Sequence, residues 1–218
     1  MSARFLQCPL AVCAMVALIA FGTSSHKAQA NLLVNEGFEA PITYDGPPFV
    51  GSWEGFSGAF SGGTAISANG AIMPRSGLQH LDLLISNDAS AFAGAFQDVA
   101  GLTPGQIGTF IGWHKLFSGN PGGTEIRIEW RDSVNNVEIM RTPNLTPTIG
   151  SSYERFSLTD TVPVGADTAR VVYAIQSFTG SGDQNVFVDD TIFVVPEPAA
   201  LALMGLAGLA ITTMRRRR

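Results

Sequence analysis

The chain has 218 residues, of which 45% are hydrophobic and 14% are charged, so it has enough apolar material for a core and does not resemble a disordered chain. Between Asn31 and Val195, seven basic side chains stand against seventeen acidic ones. An acidic body of this kind disfavours nucleic acid and anionic lipid as partners and suits solubility or cation binding.

Residues 1–30 are predicted to form a secretory signal peptide. A basic residue near the start is followed by an apolar run, and the segment ends in a small-x-small pattern formed by Ala28 and Ala30. Cleavage there makes Asn31 the first residue of the mature chain. The alternative of an uncleaved anchor is weaker, because the apolar run is short of the roughly 20 residues that span a bilayer.

Both cysteines, Cys8 and Cys13, lie in this segment, so the mature protein has no thiol and its core must hold it together. A lipoprotein acylated at Cys13 is a second alternative. It is disfavoured because Val12 stands where such signals usually have a small residue.

The last part of the chain is predicted to be a single membrane helix with a basic end. Residues 199–214 contain no charge and would form a helix about 24 Å long, a thin span for a bilayer core of about 30 Å. The basic cluster after it stays on the cytoplasmic side and leaves the acidic domain outside. Pro196 and Pro198 favour an extended, exposed joint between domain and helix.

A Pro-Glu-Pro triplet, a short Ala/Leu/Gly-rich helix and an arginine cluster in this order resemble the PEP-CTERM sorting signal, here over residues 196–218. The resemblance implies export by the secretion machinery, a transient inner-membrane anchor and recognition by an exosortase-type enzyme. The final location would then be the cell surface or extracellular matrix of a Gram-negative bacterium. A plain membrane tail is the alternative. The sorting elements are Pro196, Glu197, Pro198, Arg215, Arg216, Arg217 and Arg218.

The body, residues 31–195, is predicted to be all-β. In EIRIEWRD, Ile126, Ile128 and Trp130 share one face of a strand while charged residues share the other. Similar alternation occurs in HLDLLI and ARVVYAIQ, and the turn LTPG has Pro and Gly placed for a type II turn. Further strands are predicted at 32–38, 92–99, 107–117, 136–141, 153–158 and 186–195. Nine or ten short strands in one domain favour a jelly-roll β-sandwich.

The order of several segments resembles the carbohydrate-binding jelly-roll modules of the galactose-binding-like class. These segments are NLLVNEGFE, SGLQHLDL, VAGLTPGQIGTFIGWHK, TVPVGADTARVVY and VFVDDTIFV. Many members of that class bind glycans, and others are structural spacers.

The carboxylates of Glu39, Asp189 and Asp190 are candidate ligands of a structural Ca²⁺, which prefers six to eight oxygens. The resemblance supports this expectation, because related modules often carry calcium near these positions. Alternation along a strand places Asp189 and Asp190 on opposite faces, so one ligand is expected from the pair, preferably Asp190. The alternative is that all three are solvated charges at strand ends.

Glycan binding requires an exposed aromatic face flanked by polar groups. Trp53 and Trp113 are the candidates, with His80, His114 and Asp82 as hydrogen-bonding neighbours, whereas Trp130 is expected in the core. Packing inside the domain is the alternative for each.

No enzyme motif is present: there is no cysteine nucleophile, Gly-x-Ser-x-Gly elbow or His-Glu-x-x-His. Glu125 and Glu129 are four residues apart on one strand, about 13 Å, too far for a glycosidase pair. The sequence therefore favours a non-enzymatic exported protein whose domain associates with exopolysaccharide. A spacer without ligand and an unrecognised glycan-active enzyme are the alternatives.

Overall fold

The computed structural model describes residues 30–58, 61–67, 73–86, 88–119, 122–178 and 183–196. Residues 1–29 of the predicted signal peptide, with Ala28, lie outside this part of the chain, and so do Glu197 and Pro198, the predicted membrane helix 199–214 and the basic residues 215–218. Within the described ranges, no helix is long and apolar enough to cross a membrane.

In the part of the chain that the structure describes, ten strands form two five-stranded antiparallel sheets, which confirms the all-β sandwich. The first, sheet I, has the order β1-β4-β9-β6-β7, and the second, sheet II, has the order β2-β3-β10-β5-β8. The strands are β1 Glu54–Gly58, β2 Ser61–Ser67, β3 Gln79–Ile85, β4 Phe92–Ala100, β5 Ile107–Ser118, β6 Gly123–Asp132, β7 Val137–Arg141, β8 Glu154–Thr161, β9 Thr168–Gln176 and β10 Gln184–Val194.

The inner faces of the two sheets supply the core. Ile126, Ile128 and Trp130 of β6 in sheet I are fully buried, as the alternation predicts, and Leu81 and Leu83 of β3 in sheet II are fully buried as well. Trp130 also joins the sheets through a hydrogen bond, because its indole N–H donates to a carboxylate of β8 at 2.8 Å.

The strand predicted at 32–38 is wrong. Asn35 and Phe38 both have φ of 55°, a left-handed conformation that breaks a strand. The segment instead lies along β10, with Leu32 donating to the carbonyl of Phe193 and Thr191 donating to the carbonyl of Glu36, both at 2.9 Å.

Strands β1 and β2 were not predicted, because EGFSG and SGGTAIS are rich in glycine and serine, which have low strand propensity. The predicted turn is confirmed at Thr103–Gln106, where Gly105 has φ of 89° and the amide of Gln106 donates to the carbonyl of Thr103.

The described core extends from Leu33 to Val195. Val195 is 9% exposed, and the next residue, Pro196, is exposed. Residues 31–196 therefore contain the whole described core, and we expect them to fold on their own. They begin at the predicted cleavage site and end where the predicted proline-containing joint begins.

Candidate functional site

The outer face of sheet I carries phenylalanine rings that lie over glycines of the neighbouring strand. Phe56 in β1 is paired with Gly94 in β4, and Gly58 is paired with Phe92. A Cβ atom at Gly94 would lie 2.4 Å from the ring of Phe56, and one at Gly58 would lie 2.5 Å from the ring of Phe92. Only glycine leaves room for a ring this close to the sheet, so the two residue types shape the surface together.

The same arrangement recurs on β6, where a Cβ atom at Gly123 would lie 2.6 Å from the ring of Phe178. Phe178 is 59% exposed and Phe92 is 37% exposed, so both rings present area to solvent. Phe96 adjoins Phe56, with 6.1 Å between ring centroids. The four phenylalanines 56, 92, 96 and 178 are called the aromatic platform below.

Arg170 of β9 fixes one end of the platform. Its guanidinium carbon lies 4.1 Å from the ring centroid of Phe96 and 4.8 Å from that of Phe49. The same guanidinium donates two hydrogen bonds to Asp98, at 2.7 and 2.9 Å. This bidentate pair is largely buried and holds Phe96 in place.

Charged side chains on the outer faces of β6 and β7 pair with one another. Arg127 donates to Glu129 at 2.7 Å and to Glu125 at 3.1 Å, and Arg131 lies 3.7 Å from Glu129. These residues, with two from β7, are called the ion-pair patch: Glu125, Arg127, Glu129, Arg131, Glu138 and Arg141.

The patch adjoins the platform, because Glu125 and Gly94 pair with opposite sides of Ala174 in the central strand β9. One side of the face is therefore aromatic and the other is polar. Glu125 and Glu129 are bridged by Arg127, and their carboxylate oxygens are engaged by its guanidinium.

On sheet II, the strand alternation expected for Asp189 and Asp190 is wrong. The pairing of β10 with β5 shifts register between Asp189 and Ile192, and Asp190 has φ of 48°. This β-bulge turns both carboxylates toward the segment that precedes β3. Asp189 accepts from the amides of Arg75 at 2.8 Å and Ser76 at 3.2 Å.

Asp190 binds the same two residues through their side chains: it accepts from the Ser76 hydroxyl at 2.5 Å and pairs with the Arg75 guanidinium. Asp189 is fully buried, and this burial raises its pKa to about 6 against the lowering effect of the amide donors. The four residues Arg75, Ser76, Asp189 and Asp190 are called the acidic corner.

The acidic corner and Glu39 do not have the donor set that calcium requires. Glu39 Oε1 accepts from the amides of Leu78 at 2.9 Å and Gln79 at 3.3 Å. The oxygens of the predicted ligands thus face N–H, O–H and guanidinium donors, whereas Ca²⁺ needs converging oxygens. Among the residues that the structure describes, no three His, Cys, Asp or Glu side chains are grouped so as to hold a metal ion.

Trp113 is the one predicted glycan-binding residue with accessible surface. It is half-buried and borders an open cavity of about 410 Å³, which is also lined by Asn31, Glu36 and Asp190. The guanidinium carbon of Arg75 lies 3.7 Å from its ring centroid, so Arg75 covers one face of the indole.

Trp53 and His80 do not present a face to a ligand in this structure. Trp53 is 2% exposed and packs on Phe38, with 5.0 Å between ring centroids. His80 is fully buried against Phe187, and its desolvation, aided by the charge of Lys115, lowers its pKa to about 4. Trp53 thus lacks the predicted exposed aromatic face, whereas Phe92 and Phe178 on sheet I are exposed.

The other two predicted polar neighbours are His114, which is buried, and Asp82, which is half-buried. His114 is 2% exposed, and its Nδ1 lies 2.7 Å from the hydroxyl of Tyr173. Burial raises the pKa of Asp82 to about 6. The His114 ring therefore packs in the core against Tyr173 and does not serve as the predicted hydrogen-bonding neighbour of an exposed tryptophan.

Residues 194–218 match a family described as the PEP-CTERM protein-sorting motif. The chain carries a PEP-CTERM sorting motif. This motif indicates an exported protein, and it begins at the last residue of β10. No curated protein matches the chain.

The chain is similar in fold to carbohydrate-binding modules. The CBM22-1 xylan-binding domain of Paenibacillus barcinonensis Xyn10C has a TM-score of 0.52 at 15% identity, covering 78% of this chain and 97% of that one. TmCBM61, solved with β-1,4-galactotriose, has a TM-score of 0.50 at 18% identity, covering 77% and 99%.

A similar fold also occurs in the enzymatically active domain of tailspike protein 4 from bacteriophage CBA120. The TM-score is 0.55 at 15% identity, and the match covers 76% of this chain but 21% of the tailspike chain. The matched region thus spans about a fifth of the length of the tailspike chain, and the similarity concerns the fold alone.

The platform was not predicted, because the candidate glycan-binding aromatic residues were tryptophans. In EGFSG and FAGAF, phenylalanine and glycine stand two residues apart and share one face of a strand, a pattern that lets rings lie over glycines of a neighbouring strand. This pattern identifies a platform only when the pairing of β1 with β4 is known.

Proposed function

We propose that the protein is an exported, non-catalytic surface or matrix protein whose aromatic platform binds exopolysaccharide. The supporting observation is the contact between exposed phenylalanine rings and the glycine backbone of sheet I, beside a polar ion-pair patch. Flat apolar rings with nearby hydrogen-bonding groups suit the apolar faces and hydroxyls of a sugar chain.

The charges of this face favour a neutral glycan. Arg170 is paired with Asp98, and the arginines of the ion-pair patch are paired with carboxylates of the same patch. A carboxylated or sulfated sugar would have to break one of these pairs, whereas hydroxyl groups can hydrogen-bond to their outer edges.

The non-catalytic assignment rests on the state of the carboxylates. Glu125 and Glu129 are held by Arg127, and Asp98 is held by Arg170. Asp189, a carboxyl group with raised pKa, is fully buried and hydrogen-bonded to backbone amides. None of these groups is free to protonate a glycosidic oxygen or to attack an anomeric carbon.

The position of the motif directly after the folded core supports sorting by an exosortase-type enzyme. Pro196 is exposed directly after the core residue Val195, so the folded domain is joined to the sorting segment without a spacer. We assign Pro196, Glu197 and Pro198 to recognition by an exosortase-type enzyme, after an inner-membrane stage that uses helix 199–214. The proposed final location is the cell surface or the extracellular matrix of a Gram-negative bacterium. The proposal includes no nucleic-acid partner.

Glycan binding is tested with residues 31–196 by calorimetry against the producer's exopolysaccharide and against neutral xylan and galactan. Phe92→Ala combined with Phe178→Ala should reduce affinity at least tenfold. Phe117→Ala is the matched control, because Phe117 is 50% exposed but lies on sheet II. Equal loss in the control, or no binding to any of these glycans, contradicts the proposal and favours a spacer. Release of reducing sugar would contradict the non-catalytic assignment.

Sorting is tested by mass spectrometry of the C terminus of the surface form in its own host. Loss of the residues after the Pro-Glu-Pro triplet supports processing. Retention of residues 199–218 in the surface form contradicts it and leaves simple anchoring.

A further inference from the structure

The acidic corner contains one positive group, Arg75, that contacts each of its acidic members. The amide of Arg75 donates to Asp189, its guanidinium pairs with Asp190, and the same guanidinium stacks on Trp113. A single residue therefore links the segment before β3 to the bulge of β10 and to the neighbouring strand β5.

The two aspartate carboxylates of the acidic corner lie close together, and the aliphatic part of the Glu39 side chain lies beside them. The position of a Cβ atom at Gly37 would be 3.8 Å from Asp189 Oδ1, 4.0 Å from Asp190 Oδ1 and 3.9 Å from Glu39 Cγ. Like charges this close raise the free energy of the folded state unless a cation compensates them. The guanidinium of Arg75 is a cation in direct contact with one of them.

We propose that the Arg75 guanidinium occupies the place of a structural cation, so that the folded domain does not need calcium. A guanidinium differs from a metal ion in two ways that the geometry uses. It donates hydrogen bonds to a carboxylate while its flat face packs on an indole, which an ion cannot do. It is also covalently attached, so the corner stays neutralised at any calcium concentration.

The test compares the melting temperature of residues 31–196 in EDTA and in 5 mM CaCl₂. The wild-type temperature should be equal in the two buffers. Arg75→Gln should melt at least about 4 °C lower in EDTA. Calcium should restore part of that loss, because the Asp190 carboxylate loses its guanidinium partner beside the carboxylate of Asp189. Arg75→Lys is the matched control: it keeps the charge and should not respond to calcium.

Acrylamide quenching of tryptophan fluorescence provides a second readout. Trp53 and Trp130 are buried in the core, so Trp113 dominates quenching. Both Arg75 variants should be quenched more strongly than wild type, since a lysine ammonium does not cover the indole as a planar guanidinium does. Adding Asp190→Asn to Arg75→Gln should abolish the calcium response.

Stabilisation of the wild type by calcium would overturn the proposal, and so would an Arg75→Gln variant that calcium does not restore. If Arg75→Gln does not fold, a calcium-sensitive melting temperature of the wild type or of Arg75→Lys overturns the proposal, and calcium indifference of both supports it. None of these outcomes depends on glycan binding.

Discussion

Asn31 and Phe193 are 162 residues apart in the sequence and are hydrogen-bonded in the structure, with the amide of Phe193 donating to Asn31 Oδ1 at 2.9 Å. Asn31 Nδ2 also donates to the carbonyl of Thr191 at 2.9 Å. The first residue after the predicted cleavage site thus holds the last strand, just before the sorting motif begins.

Asn31→Ala should lower the free energy of unfolding of residues 31–196 by about 1–2 kcal/mol, because two backbone groups of β10 lose their partners. Asn31→Asp keeps the acceptor for Phe193 and should cost less. Urea unfolding followed by circular dichroism measures both. Equal stability of Asn31→Ala and wild type would show that water replaces the side chain without loss.

Gly94→Ala should disturb the aromatic platform. The new methyl group would lie 2.4 Å from the ring of Phe56 and 2.8 Å from Ala174 Cβ, so the ring must move. We expect a loss of about 1–3 kcal/mol in the free energy of unfolding, typical of overpacking, together with weaker glycan binding.

Gly62→Ala is the control for this substitution. Gly62 is also in a strand, and a Cβ atom there would meet nothing within 4 Å. It should be neutral or slightly stabilising, because alanine reduces the freedom of the unfolded chain. Similar losses at both positions would mean that strand geometry, and not the ring of Phe56, makes Gly94 necessary.

His114 should make the domain less stable in acid. Burial lowers its pKa to about 4, whereas the group titrates near 6.5 in the unfolded chain. As pH falls from 6.5 to 4, His114 is protonated in the unfolded chain but stays neutral in the folded state, so the free energy of unfolding falls. The slope approaches about 1.4 kcal/mol per pH unit within this window.

The measurement is the difference in unfolding free energy between wild type and His114→Gln at several pH values. Asp82 and Asp189 have raised pKa values of about 6, and their contributions to the free energy of unfolding have the opposite pH dependence: they are lost as pH rises from 3.8 through 6. Both groups titrate in wild type and in His114→Gln, so their contributions cancel in the difference. Parallel pH curves for the two proteins would contradict this account of His114.

Arg170→Met should cost about 3 kcal/mol, because it leaves Asp98 buried without its partner. Replacing both residues, with Arg170→Met and Asp98→Leu, should recover most of that loss. Chemical denaturation of the single and double variants measures the coupling. Additive losses would show that the pair contributes little beyond its packing.

Much of the fold was predictable from local pattern. Alternation in EIRIEWRD and ARVVYAIQ predicted strands with Ile126, Ile128 and Trp130 facing inward, because the side-chain period of a strand is two residues. The pattern failed at 32–38, where apolar residues lie in turns, and in glycine-rich β1 and β2, where pairing with neighbours overrides propensity.

The candidate site was less predictable, because its parts come from distant segments. Which aromatic residue is exposed depends on what packs above it: Trp53 is covered by Phe38, while Phe92 lies over Gly58 and stays accessible. The role of Arg75 was not predictable from the sequence. Its contacts with Asp190 and Trp113 depend on the bulge in β10 and on the pairing of β10 with β5.

Composition and short-range order were enough to identify the sorting motif at residues 194–218, the all-β class and the absence of cysteine from the predicted mature chain. Which side chains meet depends on how the strands pair and pack. This pairing and packing place phenylalanines over glycines of adjacent strands and turn Asp189 and Asp190 toward Arg75 through one β-bulge. Such contacts join residues up to 115 positions apart, and no local pattern encodes them.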